Sequence, residues 1–213
     1  MKPLHPHFEN KKHVIWDWNG TLLNDIDHTV RITNKLLVEA GLKPTTLENY
    51  KKIFSFPIID YCRTLGLDVS PEKFNAHCER FNDLFHEELH TCAIWPGARE
   101  TLSHVKALGK VQSVLSASEH NLLNQSVAQF GLTEFFDHVF GIGDKKAASK
   151  VDRGRELMRK VNLPPEQTIM IGDTDHDLEV GEALGIDIIL VDHGHQDTAR
   201  LKAAHSKVLT VLG

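Results

Sequence analysis

The stretch VIWDWNGTLLND, Val14 to Asp25, decides how the rest of the chain is read. A short apolar run ends abruptly in Asp17, and Asn19, Gly20 and Thr21 follow at once. An apolar run of this length, bounded by turn residues, reads as a strand covered on both faces, the kind found in parallel sheets. A carboxylate placed at the end of such a strand sits where open α/β sheets bind their ligands.

Four more runs fit the same pattern. With His13–Trp18, the segments Val111–Ser116, His138–Ile142, Thr168–Ile171 and Asp187–Val191 are predicted strands. Helical patterns lie between them: GARETLSHVKAL, EHNLLNQSVAQF before Gly131, KVDRGRELMRKV before Pro164, and DLEVGEAL before Gly185. Glycine or proline just past a helical pattern is a stop signal. Strands alternating with helices imply an α/β fold, a doubly wound parallel sheet. From about Asp25 to Ile94 the alternation fails, and four helical patterns follow one another. Phe74, Cys78, Phe81 and Phe85 recur there at three- and four-residue steps, one stripe of a helix. The expected organisation is a core of residues 1–23 and 96–213 with a helical cap inserted over residues 24–95.

Bulk properties narrow the function classes. The 213 residues are 41% hydrophobic and 25% charged, with net charge −5, which fits a soluble globular protein. No basic block points to nucleic acid, and no apolar run spans a bilayer. The N-terminal residues lack the apolar core of a secretory signal, and Cys62, Cys78 and Cys92 show no CxxC spacing. A cytoplasmic location with reduced thiols is expected. His193 and His195, a close pair past a strand end, read as loop residues.

Polar side chains collect at the strand ends. Asp17 follows HVIW, Ser116 follows VQSVL, Asp173 follows TIMIG, Asp177 comes four residues later, and Lys150 opens a helix. Three carboxylates facing one another would repel at low dielectric. A hard divalent cation such as Mg²⁺ removes that repulsion and bridges to phosphate. Lys150 supplies a point charge, Ser116 and Thr21 supply hydroxyls, and the Gly20 turn admits backbone N–H groups. Such a site suits phosphoryl transfer, with Asp17 as the best-placed nucleophile.

With these residues assembled, the sequence resembles the haloacid dehalogenase-like hydrolase superfamily. Its motif Asp-x-Asp-Gly-Thr-Leu is matched by DWNGTL, its Ser/Thr by Ser116, its Lys by Lys150 (Lys145 and Lys146 being alternatives), and its Gly-Asp-x-x-x-Asp by Gly172, Asp173 and Asp177. Order, spacing and the helical insert are similar to the type-1 cap subgroup, and the connecting segments to phosphoglycolate-phosphatase-like members. The resemblance implies a Mg²⁺-dependent phosphatase acting on a small phosphorylated metabolite through an aspartyl-phosphate. Asp17 would be nucleophile and metal ligand, joined at the metal by the backbone carbonyl of Asn19 and by Asp173 and Asp177. Gly20, Thr21, Ser116, Ala117 and Lys150 would hold the phosphate. Neither nucleic acid nor membrane is implied as a partner, and homodimerisation is left open.

Asn19 departs from the motif, in which phosphatases carry an Asp that protonates the leaving alcohol. An amide cannot do so. General acid–base catalysis is worth roughly 10²–10⁴ in rate, about 3–5 kcal/mol. The favoured expectation is a phosphatase, slow or with another proton donor. Alternatives are a phosphonate hydrolase using a cap lysine (Lys51 or Lys52), a dehalogenase, and a phosphate-binding regulatory protein. Trp16 is expected under a helix and Trp18 at the cap interface. Phe56 or Tyr61 is expected in the cap, Asp175 and His176 in the motif loop, and Arg153 and Arg155 on a solvated helix face.

Overall fold

The computed structural model describes residues 4–143 and 149–210. Lys145 and Lys146 fall outside that range. Six parallel strands form the main sheet: β1 (His13–Trp16), β4 (Val111–Glu119), β5 (His138–Ile142), β6 (Thr168–Gly172), β7 (Asp187–Val191) and β8 (Val208–Leu209), in the order β5-β4-β1-β6-β7-β8. A separate two-stranded ribbon pairs β2 (Leu23–Asn24) with β3 (Ala93–Ile94) antiparallel, in register Leu23↔Ile94. The expected strands are all present. Two of the additions, β2 and β3, are two-residue elements too short to leave a periodic signal.

Alternation along β1 divides the core. Val14 and Trp16 face one cluster, which takes in Leu102 of α6 (Ala98–Ala107) and Leu123 and Val127 of α7 (His120–Gln129). Ile15 faces the other, with Leu157 of α8 (Lys150–Val161), Leu178 of α9 (Asp175–Leu184) and Leu201 of α10 (Thr198–Ala204). Both faces being buried is why these strands read as unbroken apolar runs. Trp16 lies edge-on to Phe8 of α1 (His5–Phe8), and its Nε1 donates to Gln112 Oε1 at 3.1 Å, so the expected helix does cover it.

Local chemistry fixes the helix ends near the site. Ser149 caps α8 by accepting from Asp152 N. Asn162 closes that helix in the left-handed conformation, which Asn tolerates better than most residues. Thr174 and Asp177 cap α9 reciprocally, each side chain accepting from the other's backbone N–H. Between β2 and β3 the chain is helical: α2 (Ile26–Glu39), α3 (Leu47–Ile53), α4 (Ile58–Thr64) and α5 (Pro71–Glu87). Ile26, Tyr50, Phe54 and Tyr61 form one small core there, and Leu37, Cys62 and Leu67 another.

Strand register brings the polar termini together. Trp16 sits opposite Val114 of β4 and Ile171 of β6. The residues just beyond those positions, Asp17, Ser116 and Asp173, therefore emerge at one edge of the sheet. The chain runs from β1 to β4 and β5 on one side and returns to β6 on the other. That reversal opens a crevice at the carboxyl end of β1.

Candidate active site

Asp17 stands one residue past β1, nearly buried, with its N–H donating to Ile171 O at 2.9 Å. Lys150, the first residue of α8, reaches in beneath it. Its Nζ donates to Asp17 Oδ1 and to Asp177 Oδ1, both at 2.6 Å. Asp177 Oδ2 accepts from the N–H groups of Asp173 and Thr174 and from Thr174 Oγ1. Asp173 accepts from Thr21 Oγ1 at 2.8 Å and from His195 N at 2.7 Å. Oxygens of Asp17, Asp173 and Asp177 all lie within 4.8 Å of one another.

The electrostatics follow from that crowding. Burial raises the Asp17 carboxyl well above the usual range; Lys150 opposes the rise, and the Asp177 and Asp173 carboxylates add to it. Burial likewise raises Asp173, against the pull of His195. Asp177 is also desolvated, yet Lys150 and the Thr174 hydroxyl hold it below the ordinary value. The single ammonium of Lys150 touches two of the three carboxylates. The third is left to neutral donors, so the all-oxygen cluster fits a hard divalent cation.

Glycines make this packing possible. A Cβ on Gly172 would lie 2.3 Å from Asp177 Cγ. Gly20 has φ +75°, and a Cβ there would lie 2.3 Å from Asp173 Oδ2.

Asn19 faces a different set of partners. Its Nδ2 donates to Asp25 Oδ2 at 2.8 Å, and its Oδ1 accepts from Ser118 Oγ at 2.8 Å. Asp25 Oδ1 accepts from Gly20 N at 2.8 Å and lies 3.4 Å from His195 Nε2. The other ring nitrogen of His195 is hydrogen-bonded to the Tyr50 hydroxyl at 2.8 Å. Burial works against a charge on His195, but Asp25 and then Asp173 outweigh it and lift the imidazole to about 8. Burial would raise Asp25, and His195 with Asn19 and Gly20 N brings it below its ordinary value instead.

Asp25, Tyr50, Ser118 and His195 were not among the site residues expected from sequence. Asp25 closes the opening stretch and His195 belongs to the HGH tripeptide, but nothing local signals that residues 170 apart form one network. Ser116 does not end its strand as expected: β4 runs on to Glu119, through a register irregularity after Leu115. Its Oγ accepts from Ser118 N at 3.1 Å.

A cavity of about 600 Å³ opens above these groups. Asp17, Asn19, Ser116, Ala117 and Lys150 line its polar end. Phe56 and Tyr61 line it within the helical segment, and Trp18 lines it while packing on α7, where its Nε1 donates to Ser126 Oγ. Lys51 and Lys52 are elsewhere: Lys51 Nζ donates to His193 O, and Lys52 pairs with Glu48 on the surface. The lysine that the phosphonate-hydrolase alternative needs is therefore absent from the described lining. His176 stacks on Phe56, and Asp175 pairs with Arg200. Arg155 is exposed as expected, but Arg153 is not: it is buried, donates to Gly141 O and covers the Phe140 ring. The long side chain crosses to β5 because Gly141 and Phe140 lie under the first turn of α8.

Comparison with known proteins agrees with this geometry. Residues 14–191 match the model of the haloacid dehalogenase-like hydrolases, and the chain belongs to that family. It is similar to the phosphoglycolate phosphatase of Pseudomonas putida, 22% identical over 190 residues, spanning 85% of this chain and 70% of that protein. It is also similar to the probable phosphatase IndB of Dickeya dadantii, 26% identical over 215 residues, spanning 98% and 89%. A crystal structure titled a predicted phosphatase from Clostridium acetobutylicum superposes with TM-score 0.83 at 21% identity, covering 95% of this chain and 94% of that one. No helix among the described residues is long and apolar enough to cross a membrane.

Proposed function

We propose that the chain is a Mg²⁺-dependent phosphatase that cleaves a small phosphate monoester through an aspartyl-phosphate on Asp17. One observation carries this reading: Asp17, Lys150 and the Asp173–Asp177 turn, from three separate parts of the chain, converge under one cavity.

Asp17, Asp173 and Asp177 would hold the metal, with the Asn19 carbonyl as the family resemblance implies. A divalent cation held there would neutralise charge on the phosphoryl oxygens. Lys150 opposes the burial that favours a protonated Asp17 and fixes Oδ1, which leaves Oδ2 to attack phosphorus. The P–O bond to the alcohol breaks as the Asp17–phosphorus bond forms. Water then cleaves the acyl phosphate and regenerates the carboxylate. Ser116 and Ala117, which line the cavity, would border the phosphoryl oxygens, whereas the Thr21 hydroxyl and the Gly20 N–H are already engaged by Asp173 and Asp25. The helices of residues 24–95 act as a cap that excludes bulk water from the reaction.

Asn19 cannot give the leaving alkoxide a proton, so turnover is slow for poor leaving groups and the proton comes from water. The test is phosphate release from a panel of esters, with and without Mg²⁺, by the wild type and Asp17→Asn. Mg²⁺-dependent release that falls at least 10³-fold in the variant is the expected result. Equal release by Asp17→Asn overturns the mechanism. Absence of release, with Mg²⁺-dependent binding of beryllofluoride, would assign the chain to phosphate-binding regulation instead.

A further inference from the structure

The cavity is far larger and less polar than the phosphate end requires. On α2 it is lined by Asp25, Thr29, Thr33 and Leu36, which recur at helical spacing on one face. At 1.5 Å per residue, the lined stretch from Asp25 to Leu36 is about 16 Å long. Opposite lie Cys62 and Leu65 of the α4 region and Cys78, Phe81 and Phe85 of α5. Its volume of about 600 Å³ lies within the usual range for sites that enclose drug-sized ligands.

Charge points the same way. Among the described residues lining the cavity there is no arginine, and Lys150 is the sole lysine, already held by Asp17 and Asp177. Glu119 adds a negative charge at the polar end. A second anionic group would find no free lysine or arginine in the described lining: of its histidines, His195 is already held by Asp25 and the Tyr50 hydroxyl, and burial lowers His86 toward its neutral form, so such a charge is costly at low dielectric. Tyr61 marks where one polar atom can be accepted: its hydroxyl is buried with no hydrogen-bond partner of normal geometry, Thr33 being beside it.

From the length, lining and charge of this cavity we infer that the substrate is the phosphate monoester of an extended, uncharged and mainly apolar alcohol. Its body lies along α2, between that helix and α4–α5. The inference rests on the phosphatase reading for its polar end. It departs from the short, carboxylated substrate in the names of several relatives.

The experiment uses 4-alkylphenyl phosphates from methyl to hexyl, whose leaving groups hardly differ in acidity, beside phosphoglycolate and a carboxylated aryl phosphate, all with Mg²⁺. Burying each methylene is worth up to roughly fourfold, so kcat/KM rises at least tenfold from methyl to hexyl. 4-(Carboxymethyl)phenyl phosphate, a carboxylated ester with a leaving group of like acidity, falls at least tenfold below the hexyl compound. A flat or falling series, or either carboxylated ester as the better substrate, overturns the inference. Binding of the matching non-hydrolysable phosphonates separates the two readings. If no ester is cleaved yet affinity climbs with chain length, turnover fails and the substrate class stands; if affinity does not climb, the class falls. Thr33→Trp fills the middle of the cavity and lowers the hexyl-to-methyl ratio at least fivefold. An unchanged ratio in folded Thr33→Trp overturns the placement along α2, and the wild-type series decides the class even where this variant does not fold.

Discussion

Asn19 owes its position to two partners, and they change what its replacement should do. Asn19→Asp would set a carboxylate about 2.8 Å from the buried Asp25 carboxylate. One of the two must then take a proton or the pair repels. The single variant should therefore lose stability, on the order of 1–3 kcal/mol at neutral pH. Exchanging the two residues, Asn19→Asp with Asp25→Asn, restores a donor opposite an acceptor and supplies a general acid. It should recover most of that stability in urea titrations and raise turnover at least tenfold. An unchanged rate in the folded double variant would mean the proton is already delivered by other means. A second residue-scale effect belongs to His13, fully buried and hydrogen-bonded to Ser113 at 2.8 Å. Burial, aided by His138 and opposed by Asp137, brings its pKa from 6.5 to about 4. The native state thus binds fewer protons than the unfolded state between these values. Stability from this group is complete above pH 6.5 and is lost as pH falls toward about 4, at up to about 1.4 kcal/mol per unit. Unfolding midpoints measured across that window should fall less steeply in His13→Gln.

The turn from β6 into α9 packs the most chemistry into the fewest residues. Thr174 and Asp177 cap the helix, and the same Asp177 meets Lys150. Thr174→Val removes the cap and a hydroxyl bond to Asp177; it should cost about 1–2 kcal/mol in thermal or urea unfolding. Gly172→Ala places its new methyl against Asp177 and should reduce Mg²⁺-dependent phosphate release at least 100-fold while far-UV circular dichroism stays native. This element was readable in advance because its signals are local: an apolar run, a Gly-Asp pair and an acid four residues on. The same is true of Asp17 and Lys150, each marked by its place at an element's end; Ser116 was expected at one too, but its strand runs on to Glu119. His195, Tyr50 and Asp25 were not readable, since their meeting depends on how α3 docks beside the loop after β7. Arg153 was misread for a related reason. Charge suggests solvent, but a flexible arginine can bury its stem and still reach a carbonyl.

At the scale of the molecule, one group of hydrogen bonds ties the helical segment to the loop after β7. Phe54 O, just past α3, accepts from Gln196 Nε2 at 3.0 Å and from Arg200 Nη1 at 2.8 Å. Asp175 holds both donors in place. Breaking this latch should loosen α3 and α4 without removing any contact of Asp17, Asp173 or Asp177. In Gln196→Ala with Arg200→Ala, amides of residues 47–64 should exchange at least tenfold faster by mass spectrometry, with those of β1 and β6 unchanged. Equal exchange would mean that the aromatic packing around Tyr50 and the remaining contacts, Tyr50–His195 and Lys51–His193 among them, hold the segment without it.

The place of β1 has one further consequence. It precedes every other strand among the described residues, yet its neighbours β4 and β6 begin about 100 and 155 residues later. Contacts that distant form slowly, because the loops that close them are long. During synthesis the apolar strand must wait on the ribosome for its second neighbour, and Asp17 with it. A nascent chain halted after β5 would carry Asp17, the proposed nucleophile, but neither Asp173 nor Asp177. It would be inert and would expose one edge of β1, a natural client for a chaperone that binds extended apolar segments.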